Sequence, residues 1–457
     1  MTERIEEDSI STLKISDDKY YGINAKRAMD NFQLSTKHTD MEMIKQVARI
    51  KIAAAIANEK IGRLSHQKAK YIIKAAKEIL ADKLDDQFVT TDIQGGAGTS
   101  TNMNVNEVIA NRALVLMGHQ KGQYQFLSPQ DDVNAGQSTN DVYPSAGKLT
   151  TLLKAEQLHA SLSLLINSLN EKAEQFKDVK KIGRTQLQEA VPTTLGNSFH
   201  AFASGLTRCQ KQLQKGMKTL LELNLGGTAI GTGVNTSPGY KELLYQQLQQ
   251  DYQINIHPAP DLIDATQNLD SYVQFSGTLK ALAVTMSKIS HDLRLMSSGP
   301  KSGFNEINLP ARQPGSSIMP GKITPVIPEV VSQIAFEVIG DDATVTIAAE
   351  SGEFELNAFE PVIFKNLFES VDFLQSACVM LATKCISGIT ANRDKCLSDL
   401  QNSAETVTKL TPIIGYATAT KFVKEALKTG KNVYDLLKEQ GVYDPDAEPL
   451  ADSQIAN

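Results

Sequence analysis

The chain has no tryptophan and only four cysteines in 457 residues. Cys209, Cys378, Cys385 and Cys396 make no C-x-x-C pair, which argues against zinc ligation and leaves structural thiols in a reducing cytoplasm as the expectation. The seven histidines form neither an H-x-x-H nor an HExxH pair, so a histidine metal site is not expected either. Positive charge is not in excess: the net charge of −6 removes the basic face that a nucleic-acid partner requires. No apolar run reaches the roughly 20 residues of a membrane span, and the acidic start MTERIEEDSI lacks the basic-then-apolar pattern of a secretory leader. No period of roughly 20–50 residues recurs, which disfavours a solenoid. What remains is an ordinary globular composition, 41% hydrophobic and 21% charged. The length allows about two to four domains and a large core. These absences together lead us to expect a cytoplasmic protein with no nucleic-acid or membrane partner.

What the sequence has in quantity is helical periodicity. Between Asp261 and Met296, apolar residues fall at Leu269, Tyr272, Phe275, Leu279, Leu282, Met286, Ile289, Leu293 and Met296, a single stripe with gaps of three or four. Read as one helix over 261–296, it would run about 50–55 Å at ~1.5 Å per residue. Helices of that length belong to elongated bundles, often shared between subunits. A second pattern runs from Leu149 to Phe176, and a third begins near Pro328, a suitable first-turn proline. Met41–Leu64 and Ser65–Leu80 read as a helical pair with Ser65 as the N-cap. Strand signals are few and short, near Asn24 and Leu225. The fold class is mainly α.

Three polar, glycine-rich segments, Gln94–Asn106, Gly136–Pro144 and Ser302–Pro325, interrupt this pattern. In the third, prolines at 310, 314, 320 and 325 break helix while Gly315 and Gly321 permit unusual backbone angles. The result is a loop whose N–H groups, two hydroxyls and lysine are the set that holds a carboxylate or an oxyanion. A plain Gly-Ser linker is the alternative for Gly-Ser-Ser alone, but four prolines and a buried-type Ile318–Met319 pair are hard to reconcile with one. The first segment, QGGAGTSTNMNVNE, carries no G-K-[ST] and follows no strand, so a phosphate loop is excluded. A capped helix start accounts for some of its hydroxyls and amides, though hardly for all. For GQSTNDVYP, an N-cap with an Asx turn explains the residues as well as function does. The stretches GRTQLQEAVP and GGTAIGTG are individually weak signals, and the glycines of the latter could simply shape a tight turn.

Taken together and in order, GGAGTSTNMNVNE, QSTNDVYP, GRTQLQEAVPTTLG, LGGTAIGTGVN and GSSIMPGKITP resemble the aspartase/fumarase superfamily across nearly the whole chain. Gln186 stands where fumarases carry histidine after the threonine of GRT, and QGGAGTS and QSTND are similar to the aspartase side of the family. The resemblance implies a three-domain fold (1–139, 140–392 and 393–457) with a central long-helix bundle shared across a homotetramer. It also implies the reversible elimination of ammonia from L-aspartate to give fumarate, at sites each built from three subunits. Ser316 would be the base. Ser138, Thr139 and Ser317 would grip the β-carboxylate, Thr185 and Lys322 the α-carboxylate, and Thr99, Asn140 and Gln186 the amino group. The family's K-x-N-P asparagine is Thr324 here, which keeps a donor but shortens the reach toward the carboxylate. No cofactor is required by this chemistry, and no ligand cluster for an activating Mg²⁺ can be read from the sequence. Two other readings stand beside it: a class II fumarate hydratase, and a catalytically degenerate structural homologue.

Overall fold

A computed structural model describes residues 2–34 and 37–443; positions 444–457, the end of the third expected domain, lie outside the described residues. In chain order, β1 (Glu3–Glu7) and β2 (Thr12–Ser16) form an antiparallel hairpin ahead of α1 (Ile23–Asn31), α2 (Met41–Lys60), α3 (His66–Leu80), α4 (Thr99–Leu116) and α5 (Thr139–Gln175). Next come the antiparallel pair β3 (Lys180–Thr185) and β4 (Gln188–Thr194), then α6 (Leu195–Thr219), β5 (Glu222–Leu223), α7 (Tyr240–Tyr252), β6 (His257–Pro258), α8 (Asp264–Gln267) and α9 (Asp270–Met296). The remainder is β7 (Ile307–Asn308), α10 (Val326–Glu350), α11 (Glu360–Lys384), β8 (Thr390–Ala391), α12 (Arg393–Asn402), α13 (Thr411–Ile414), α14 (Tyr416–Thr429) and α15 (Val433–Glu439). The class is mainly α, as the periodicity requires. Among the described residues no helix is long and apolar enough to cross a membrane.

Local chemistry accounts for the helix starts. Ser65 caps α3 by accepting from Lys68 N–H, and Asp40 caps α2 by accepting from Glu42 N–H. The pair α2/α3 packs through small residues, with Ala53, Ala54 and Ala57 facing a core that includes Ala75 and Ala76, all fully buried. Alanines at such positions let helix axes approach closely.

Several sequence expectations are corrected. The 261–296 pattern forms two helices, because Asn268 is extended (φ −100°, ψ 132°) and its amide donates to the Asp264 carboxylate at 2.6 Å. The apolar stripe in fact starts at Leu269, and α9 is therefore about 40 Å long. The helix expected from Leu149 begins ten residues earlier, at Thr139, with Pro144 inside it. Asn24 lies in a helix, not a strand, and β5 ends two residues before Leu225. The segments 94–106 and 136–144 are in large part the first turns of α4 and α5. Only 302–325 remains without a helix.

The chain divides into two compact units, each made of three separated stretches. The first holds residues up to His159, Lys211–Ala281 and Glu337–Leu374; the second holds Ala160–Gln210, Leu282–Phe336 and the chain from Gln375 onward. The first has a core drawn from α2, α3, α4, the start of α5 and α7, including Ile44, Val108, Leu149 and Leu244. In the second, a separate cluster of Leu410, Phe422, Val433 and Leu437 consolidates the C-terminal helices.

Candidate active site

In the first unit, two helix N-termini carry four of the expected residues. Gly98 (φ 87°) immediately precedes α4, and Thr99 is that helix's exposed first residue. Ser138 precedes α5 and forms a capping box: its Oγ accepts from Asn140 N–H at 3.2 Å, while its own N–H donates to Asp141 Oδ1 at 2.9 Å. The two starts are joined by Asn102 Nδ2, which donates to Thr139 Oγ1 at 3.1 Å. With Ser138 and Thr139 each already accepting, their hydroxyl protons remain to be given to a ligand. Two hydroxyl donors at a helix N-terminus, where the backbone dipole is positive, suit a carboxylate.

Behind this cradle lies a polar network that composition alone did not assign. The single oxygen Asn134 Oδ1 accepts from Lys51 Nζ at 2.8 Å, Asn106 Nδ2 at 3.1 Å and Asn102 Nδ2 at 3.3 Å. Burial drives the Lys51 ammonium down to about 7. The i, i+4 spacing of Asn102 and Asn106 on α4 is the signal that could have found them.

The second unit holds the other six. Thr185 ends β3, and Gln186–Leu187 form the two-residue turn to β4, closed by the pairing of Thr185 with Gln188. Both turn residues have positive φ (52° and 64°), a geometry that normally calls for Asn-Gly. Beneath the turn is a cleft of ≈ 520 Å³ lined by Lys181, Arg184, Gln186, Lys288, Asp292 and Glu306. The buried Glu306 carboxylate pairs with Lys181 Nζ at 2.6 Å and with the Arg184 guanidinium, which also stacks over Phe304. Glu306 therefore ties the hairpin to the stem of the 302–325 loop.

That loop is pinched at its base by an antiparallel bridge between Pro314 and Ile323 and by Gly315 N–H donating to Lys322 O at 2.7 Å. A Cβ at Gly315 would lie 2.7 Å from that oxygen and 2.8 Å from Thr324 N, so glycine is required. Beyond the pinch, Ser316 Oγ accepts from Ile318 N–H at 3.2 Å and Met319 N–H at 3.0 Å. Two N–H groups on one hydroxyl oxygen stabilise its deprotonated form. Ser317 and Lys322 are exposed, and Lys322 Nζ has no partner among the described residues; Thr324 is half-buried beside it. The Ile318–Met319 pair, expected to be buried, is instead 84% and 47% exposed. Among the described residues no group of three or more His, Cys, Asp or Glu is placed to hold a metal ion.

Comparison with known proteins decides the family. Residues 11–340 match a lyase family and residues 407–447 a fumarase C C-terminal family. The chain belongs to the aspartase/fumarase superfamily. Aspartate ammonia-lyases of Pseudomonas aeruginosa and Helicobacter pylori are each 50% identical to it, covering 96% of this chain and 94% of their own. The Escherichia coli enzyme of the same name is 48% identical over 96% of this chain and 92% of its own. Among solved structures, a fumarate lyase:delta crystallin from Brucella melitensis bound to cobalt superposes with a TM-score of 0.95 at 46% identity, covering 98% of this chain and 97% of that one. A class II fumarase from Schistosoma mansoni gives 0.94 at 34% identity over the same shares. The superfamily fold expected from the motifs is thus the fold observed.

Proposed function

We propose that the chain catalyses the reversible elimination of ammonia from L-aspartate to give fumarate, with Ser316 as the base. The observation that carries this reading is the pair of backbone N–H groups on Ser316 Oγ. A serine is a poor base at its free pKa and needs such a setting. Its task is to take the proton next to the β-carboxylate, leaving a doubly charged enediolate on that group. Ser138 and Thr139, with protons to give, and Ser317 stabilise this charge as it develops. Lys322, Thr185 and Thr324 take the α-carboxylate, while Thr99, Asn140 and Gln186 take the amino group until it leaves as ammonia. The substrate assignment is supported by the relatives' names at about half identity and by Gln186 in place of a histidine. No step calls for a cofactor. Buried, unbridged Cys378, Cys385 and Cys396 are in keeping with a cytoplasmic setting.

We further propose that the working form is a homotetramer whose sites draw on three copies of the chain. Helix α10 supports this with Phe336, Ile339 and Ile347 exposed by 59%, 41% and 65%, a stripe that a second copy would cover.

The assay is fumarate absorbance on addition of L-aspartate, and product analysis of fumarate supplied with and without ammonium. Aspartate formed only with ammonium is the expected result; malate would establish a hydratase instead. For the composite site, Ser316→Ala and Thr139→Ala proteins are mixed and allowed to exchange subunits. Recovered activity is expected from sites that receive both intact residues, and none would overturn the shared site.

A further inference from the structure

The motif Leu225–Asn235 has no part in the chemistry described so far. Close approach dictates its glycines: a Cβ at Gly231 would lie 2.4 Å from the Ile263 backbone, and one at Gly227 2.9 Å from Asn224 O. Three sets of bonds hold this loop against the start of α5. The buried Asp141 carboxylate, besides taking Ser138 N–H, accepts through Oδ2 from Gly226 N–H at 2.9 Å and Thr228 N–H at 3.1 Å. Asn224 Nδ2 donates to Asn140 O at 2.8 Å. That carbonyl is free to accept because the residue four positions on is Pro144, which has no N–H to complete the helical bond. Lastly, Asn140 Nδ2 donates to Ala229 O at 2.7 Å.

The last bond settles which end of the Asn140 amide is which. A backbone carbonyl can only accept, so the NH₂ end faces Ala229 and Oδ1 is turned away from it. Oδ1 has no donor among the described residues and is half-exposed with its side chain. A lone acceptor there attracts an ammonium group, which only donates, and repels a carboxylate.

We propose that loop 225–235 is a positioning element of the amino-group subsite. Through the Ala229 carbonyl it sets Asn140 with its oxygen toward the substrate, and through Asp141 it holds the backbone on which Asn140 rides. This rests on the assignment of Asn140 to the amino group. Burial pushes Asp141 up to about 6 in spite of its three N–H partners, so it is a carboxylate, able to accept all three, at neutral pH.

The reverse reaction tests this, because ammonium and fumarate then have separate KM values. Gly231→Ala, which drives the loop off the Ile263 backbone, is expected to raise the ammonium KM about tenfold and to leave the fumarate KM within about twofold. Asn140→Ala should raise the ammonium KM at least as far, and the double variant should be no worse than Asn140→Ala alone, since the loop acts through that side chain. Equal rises in both KM values, or additive losses in the double variant, would overturn the loop's role. An unchanged ammonium KM in Asn140→Ala would instead overturn the assignment beneath it. Should Gly231→Ala fail to fold, Pro144→Ala serves: its restored N–H competes with Asn224 for the Asn140 carbonyl and should raise the ammonium KM alone. No rise there counts against the proposal.

Discussion

The two halves of the candidate site are built in opposite ways. At the starts of α4 and α5, Thr139 is 8% exposed and its hydroxyl is engaged by Asn102, which also donates to Asn134, itself held by a buried lysine. In the 302–325 loop, the Ser316 hydroxyl is held, among the described residues, by N–H groups two and three positions further on, and Ile318 is 84% exposed. The first half carries its geometry before any ligand arrives, at the cost of burying many polar groups, among them the Asn102 and Asn106 side-chain oxygens, which have no partner among the described residues. The second is pinched at the base and open at the tip, which is what an element that closes over a substrate requires. On the proposed mechanism, charge that exists only in the transition state would be met by the rigid part, and access would be governed by the adaptable one.

The largest expected effect comes from the adaptable half. Ser316→Ala should lower kcat by roughly 10³-fold with the oligomer and circular dichroism unchanged, because the bonds lost with that oxygen lie within the loop itself. Retained activity would remove the chemistry from the loop and break the comparison. Stability should show the reverse asymmetry. Gly98→Ala puts a Cβ 2.4 Å from the Tyr143 ring at φ 87° and should cost roughly 3 kcal/mol in urea unfolding. Gly321→Ala has a similar φ of 80° but open space around it, and should cost only about 1 kcal/mol. Equal losses would mean that the loop is as tightly built as the helix starts. Thr324→Asn should lower the KM for aspartate about fivefold, or about 1 kcal/mol, by restoring reach to the α-carboxylate. No change would free Thr324 from ligand contact.

The smallest effect lies at the N-terminal hairpin. The Arg27 guanidinium, at 2.6 Å, and the N–H groups of Ile10 and Ser11 hold the Asp8 carboxyl well below its usual 3.8. A folded-state pKa below the unfolded one means that this contribution is complete above about pH 4 and is lost as pH falls further. Being partly solvated, it should amount to about 1 kcal/mol. Asp8→Asn should therefore lower the melting temperature slightly at pH 7, and the difference from the parent chain should shrink as the pH drops below 4. A difference independent of pH would deny the ion pair.

What was legible in the sequence was whatever depends on near neighbours. The helical spacing over 41–80 and the Ser65 cap appear as read. What was not legible depends on distant partners. Asn24 starts a helix because the Glu107 carboxylate, 83 residues away, accepts from its N–H at 2.7 Å and from Gly22 N–H at 2.8 Å. Segments 94–106 and 136–144 are polar and glycine-rich with little helical periodicity, yet most of each lies in α4 or α5, where distant groups complete buried amides: Asn104 is paired with Gln87 O and Val89 N–H. The site roles themselves came from family likeness, with geometry adding which atoms are free to donate.

The division of the chain also bears on how it comes to be folded at all. Each unit draws on three stretches separated by stretches of the other, and all five crossings fall inside long helices, α5, α6, α9, α10 and α11. During synthesis the first unit cannot close until Leu374 has emerged, and the second must wait for the C-terminal helices. Contacts this distant in sequence carry a high loop-closure cost and favour slow folding through populated intermediates. No terminal truncation would free either unit of the other's inserted stretches, so the nascent chain must keep apolar helix faces shielded for most of its translation.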